Sequence, residues 1–130
     1  MEQFVEFIKS LTGARFSGPV SQGLIIQSQS SLGVKFAEEY LTLLRNFGNM
    51  FYNRNEVLGL TTDHIDDCYS YTVEAREEDP TIPQNLYVIS SAGIDGILFL
   101  QDSEGNVYQH APFGECKHLF NGLEAFIKSF

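Results

Sequence analysis

The chain has 130 residues, 43% apolar, 13% aromatic and 19% charged, which suits one domain with one core and leaves no room for a second. A chain this long removes about two-thirds of its unfolded surface from water, so it needs no disulfide or metal staple, and its apolar content excludes disorder. Eight basic against seventeen acidic residues give a net charge of −9; this repels phosphate backbones and anionic lipid, serves solubility, and favours a basic protein as partner.

The elements read as follows along the chain. Phe4, Ile8 and Leu11, widened by Val5, predict a helix over Glu2 to Leu11. The same stretch lacks the basic start, apolar run and cleavage site of a secretion signal. Thr12 to Pro19 holds Gly13, Gly18 and Pro19 and reads as a loop. A second helix starts at Ser21 as N-cap, places Ile25, Gln29 and Leu32 on one face, and stops at Gly33. The third, Phe36 to Phe47, carries a stripe of Phe36, Tyr40, Leu43, Leu44 and Phe47 and stops at Gly48. Glu38 and Glu39 in its first turn and Arg45 in its last suit the helix dipole.

Glu56 to Leu60 reads as a strand within Phe51 to Leu60. Asp63 to Asp79 reads as an acidic helix with Ile65, Tyr69, Thr72, Val73 and Arg76 on its inner face, ended by Pro80 and Pro83. Strands follow at Leu86 to Ser90, Ile94 to Gln101 and Asn106 to Ala111, the last two joined by a tight turn at Asp102–Gly105. Asn121, with Glu124 three residues on, predicts a capped final helix whose Leu123, Phe126, Ile127 and Phe130 face inward. The order of helices, meander and closing helix predicts a single α+β domain with a mostly antiparallel mixed sheet and helices packed around it. The longest apolar run, Ile97 to Leu100, is far below the ~20 residues of a membrane span, so a cytoplasmic protein is expected.

The residues that could carry chemistry are few. Cys116 and His118 lie two apart, with His110, His64 or Cys68 to complete a set, but no spacing fits a zinc pattern. Cys68 and Cys116 are too few for a secreted disulfide framework, although a bridge between them is the alternative to two free thiols. Ser90-Ser91-Ala92-Gly93 follows a strand without forming a nucleophile elbow, and no phosphate-binding glycine motif occurs. No catalytic residue, metal or cofactor is expected.

Charge placement is more informative. Between residues 63 and 79, Asp63, Asp66, Asp67, Glu74, Glu77, Glu78 and Asp79 stand against Arg76 alone, seven acids and one base for a local net of −6. Such a run is either a solvated helix face or a docking surface for a basic partner. Phe51, Tyr52 and Tyr71 are the candidate aromatic anchors beside it.

Three segments resemble the opening of the SUKH superfamily: Phe16-Ser17-Gly18-Pro19-Val20-Ser21, Leu32-Gly33-Val34-Lys35-Phe36-Ala37-Glu38-Glu39-Tyr40, and Leu44 to Gly48. The likeness continues through Glu56 to Leu60, Ala75-Arg76-Glu77-Glu78, Leu86 to Ile89, Gly93 to Gly96, Gly105-Asn106-Val107-Tyr108 and the closing helix, spanning about residues 16 to 130. Ala37, where a proline is usual, and Gln29, where an acid is common, depart from it. The superfamily includes fungal cell-wall-assembly (glucan synthesis) regulators and many bacterial immunity proteins, and it shares no catalytic motif. The resemblance therefore implies a non-catalytic protein-binding domain. The reading is an immunity protein that neutralises a toxin, such as a basic nuclease domain. A cell-wall-assembly regulator or scaffold is the alternative, and an enzyme the remaining one.

Overall fold

The computed structural model describes Met1–Phe130. The elements run α1 (Glu2–Lys9), β1 (Arg15–Phe16), α2 (Gln22–Leu32), α3 (Glu38–Asn46), β2 (Met50–Tyr52), β3 (Asn55–Val57) and α4 (Cys68–Glu78). After them come β4 (Tyr87–Ser91), β5 (Leu98–Gln101), β6 (Val107–His110), β7 (Cys116–Phe120) and α5 (Leu123–Lys128). The fold is α+β, with the strands in two antiparallel sheets ordered β1-β2-β3 and β4-β5-β6-β7.

Local chemistry sets several boundaries as the sequence predicts. The Ser21 side chain accepts the Leu24 N–H at the start of α2, and Gly33 ends that helix with φ +68°. Gly48, past α3, has φ +80°, and a Cβ there would lie 2.1 Å from the Gly18 carbonyl oxygen, so only glycine fits. Phe36 falls just outside α3 but keeps its buried place, packed with Tyr40 and Tyr87 at ring separations of 4.8–5.5 Å. Each such pair adds about 0.5–1.5 kcal/mol beyond area burial. The Tyr87 hydroxyl accepts from Ala37 N–H and donates to Gln101, whose amide donates to the Gly105 carbonyl. One buried polar chain thus joins α3, β4 and the β5–β6 turn.

The expected single mixed sheet is corrected to two. Asn53 and Arg54, with φ +49° and +65°, make a two-residue turn of the type that matches strand twist, folding Asn55–Val57 back onto Met50–Tyr52. The two sheets are stitched together at the end of β3, through Leu58 N–H to Ile89 O and Ser90 Oγ to Glu56 O. Strand β1 lies where a loop was expected, and β2 and β7 fall on residues for which the sequence predicts no element. The predicted strand from Ile94 begins only at Leu98, because Asp95 and Gly96 turn with positive φ.

Two further boundaries move. The acidic helix starts at Cys68, not Asp63, since His64 and Asp66 hold positive φ incompatible with a right-handed helix. Its inner face is Cys68, Thr72 and Ala75; Ile65 is exposed and Tyr69, Val73 and Arg76 only half-buried. At α5 the expected Asn121 cap is absent: Gly122 is the N-cap, and Glu39 of α3 accepts the Leu123 N–H at 2.9 Å. Phe126 is buried as predicted, against Phe99, Phe120 and Phe130. Both cysteines are free thiols, so the disulfide alternative is not realised. No helix is long and apolar enough to cross a membrane.

Candidate functional site

The acidic run meets three fates. Asp67 is 1% exposed and caps α4: it accepts from Ser70 N–H, Thr61 N–H and His64 Nδ1 at 2.8–3.0 Å, while the Ser70 hydroxyl accepts the Asp67 N–H. Asp79, at the other end, accepts from Thr81 N–H and Oγ1 and pairs with His110 Nε2 at 3.0 Å. The Thr81 bonds, then the His110 pairing, lower its pKa below the usual carboxylate value. Asp63, Asp66, Glu74, Glu77 and Glu78 face solvent, and none of them forms an ion pair within the chain. Asp67 is thus corrected from a partner-facing residue to a helix cap.

Tyr71, Glu74 and Glu78 recur at i, i+3 and i+7, so they line one flank of α4. Burial, followed by the charges of Asp66, Glu56 and Glu74, pushes the Tyr71 phenol up. Tyr71 is therefore the one predicted anchor that the fold places among the acids. Phe51 and Tyr52 go elsewhere. Phe51, 45% exposed, lies under Arg15, whose guanidinium carbon is 6.0 Å from the ring centre, and shares a shallow depression with Tyr52 and Arg54. Those two aromatics belong to a surface of mixed charge, where Arg15 and Arg54 stand with Glu56, the cross-strand partner of Phe51.

The C-terminal end of α4 opens on a cavity of ≈ 320 Å³. Ala75 and Ile82 form apolar wall on one side, Leu98 and His110 meet them from β5 and β6, and Glu78, Pro112 and Phe113 stand at the rim. Leu98 and His110 are cross-strand partners and so project from the same sheet face. Phe113 is 96% exposed and holds φ +64°. The sequence carries a signal for it, an aromatic between Pro112 and Gly114 in a turn. The cavity itself joins residues too distant in the chain to be foreseen.

The same corner tests for catalysis. Cys116 faces His110 across the β6–β7 ladder, and His110 holds Asp79, the order of a nucleophile, base and orienting acid. No hydrogen bond joins thiol to ring. Burial and the Asp79 charge push the Cys116 thiol up, the opposite of activation. Cys68, wholly buried, is pushed by desolvation up to about 12. His118 lies by Asn106 and Tyr108 on the outer surface, and no three histidine, cysteine or acidic side chains converge as metal ligands. What this arrangement can do is present fixed negative charge beside an apolar hollow.

A family model described as SUKH_5, SMI1-KNR4 cell-wall, matches residues 1–130. No curated protein matches the chain.

Proposed function

The chain belongs to the SUKH_5, SMI1-KNR4 cell-wall family, and from that premise we propose that it is a non-catalytic immunity protein that binds and neutralises a basic toxin domain. The observation that carries the proposal is the set of unpaired carboxylates, Asp66, Glu74, Glu77 and Glu78, on and beside a helix whose own ends are fixed by hydrogen bonds. Fixed, unneutralised charge attracts a cationic groove, speeds encounter, and occupies the surface a nuclease would offer to phosphate. Tyr71 supplies an aromatic within that charge, and a close charge pair at such an interface contributes ~1.5–7 kcal/mol of coupling.

The test is capture of a partner from the native host, followed by charge reversal at Asp66, Glu74 and Glu77. Affinity should fall at least tenfold at low salt and lose much of its salt dependence. A captured partner bound equally well by the reversed protein refutes the acidic-surface reading. The family's description favours a second reading, a cell-wall-assembly regulator or scaffold. Co-expression separates the two, because only an immunity protein rescues cells from the activity of its partner.

A further inference from the structure

We propose that the cavity at the C-terminal end of α4 receives an arginine side chain of the protein partner, with the Glu78 carboxylate taking its charge and Phe113 stacking on its guanidinium plane. This deepens the protein-binding reading above and rests on it.

The lining selects the ligand. Ala75, Ile82 and Leu98 offer an apolar surface for an alkyl stem, and carboxylates stand beside it. Asp79 already accepts from Thr81 twice and meets His110, so most of its acceptor capacity is taken and it adds chiefly negative field. The Glu78 carboxylate makes no ion pair in the chain and is free to accept a charged donor. A neutral apolar side chain would leave that carboxylate partly desolvated and unpaired, and an anion would be repelled. Phe113 sits at the rim, uncovered, in a left-handed backbone conformation that a phenylalanine rarely adopts. Guanidinium suits both neighbours, pairing with a carboxylate edge-on while its face stacks on an aromatic ring; an ammonium has no such face.

The walls are also set before a ligand arrives. The Asp79–His110 contact ties the end of α4 to β6, and a Cβ on Gly96 would lie 2.9 Å from the Pro112 ring, so the Gly96 backbone already packs close against that ring. A preformed hollow loses little freedom on filling.

The probe is the capped tripeptide acetyl-Gly-Arg-Gly-amide, titrated into ¹⁵N-labelled protein beside its citrulline counterpart, which keeps the shape and lacks the charge. The arginine peptide should give saturable shifts at the amides of Gly96, Leu98, His110 and Phe113, and the citrulline peptide should give none. Glu78→Gln and Phe113→Ala should each weaken binding by at least about threefold. Both side chains lie at the surface, so the fold is retained, and the unchanged spectrum elsewhere verifies it. A flat titration, shifts centred on another surface, or equal binding of citrulline overturns the proposal. Those outcomes leave the acidic-surface reading standing, because that reading is judged on a captured partner with Asp66, Glu74 and Glu77 reversed.

Discussion

Both ends of α4 rest on an aspartate, and the surroundings of the two differ. At the N-terminal end, Asp67 is buried, with three donors on its carboxylate and its own N–H returned to Ser70. At the C-terminal end, Asp79 is partly exposed, bonded across to His110, and bordered by an open cavity and the bare ring of Phe113. Two acids of one charged run therefore close one end of the helix and border a cavity at the other. Both carboxylates hold three donors, so what separates them is burial, 1% exposure at Asp67 against 14% at Asp79, and a count of charges along the chain does not contain that information.

The sharpest way to break the contrast is Asp67→Ala. Removing a cap costs about 1 kcal/mol, and leaving buried donors unpaired raises the expected loss to ~2–3 kcal/mol, read as a lower urea midpoint at unchanged slope. If Asp67→Ala proves neutral, the closed end is not closed. Next comes Thr72→Val. Its hydroxyl donates to the Cys68 carbonyl and accepts the buried Val88 N–H at the edge of β4. Loss of that acceptor should cost ~1–3 kcal/mol and accelerate exchange of the Val88 amide.

The open end responds to acid. Asp79 is lowered by its Thr81 and His110 contacts. Asp102 is also lowered: burial alone would raise it, but hydrogen bonds from Asn106, Tyr108 and Glu104 N–H outweigh that. A depressed folded-state pKa means stability that is complete above the unfolded carboxylate value near ~3.9 and lost as pH falls through the lower folded values. Urea midpoints should therefore drop below about pH 4, and Asp79→Asn or Asp102→Asn should each flatten that drop; an unchanged slope in both would contradict the assignment. The smallest effect concerns Phe113→Gly. Left-handed backbone costs an L-residue ~1–2 kcal/mol, and the greater unfolded freedom of glycine offsets part of its relief, so stability should rise by up to about 1 kcal/mol. The same change should weaken partner binding, which is how a residue kept for contact and not for folding behaves.

These contrasts also explain what could be read from the chain. Helix α2 was legible because Ser21 and Gly33 are strong terminal signals, and α3 and α5 because their stripes are apolar at helical spacing. Strands β1 and β2 have two and three residues, too short for any alternation to register, and the strand expected from Glu56 overruns β3 by three residues. Strand β7 is an edge strand whose Lys117, His118 and Leu119 are exposed, so it carries no buried face to betray it. The start of α4 was misplaced because Asp63 and Asp66 look like helix acids, whereas Asp67 with Ser70 three residues on was the true cap pattern. Five of the seven acids are on the surface as expected. Their partners in a site, Glu56 beside Tyr71 and Phe113 beside Glu78, come from tertiary folding alone.

The pairing of β1 with β2 joins Arg15 to Phe51 across two intervening helices, whereas β5 and β6 meet over the single turn at Asp102–Gly105. Closing the longer loop costs more chain entropy before any contact repays it, so the meander should assemble first and the small sheet should lock late. Pulse-labelled hydrogen exchange during refolding should therefore protect amides between Leu98 and His110 before the amide of Phe51, and simultaneous protection would rule this order out. A nascent chain would then possess the β5–β6 framework of the cavity before the hairpin bearing Phe51 and Arg54 comes to rest.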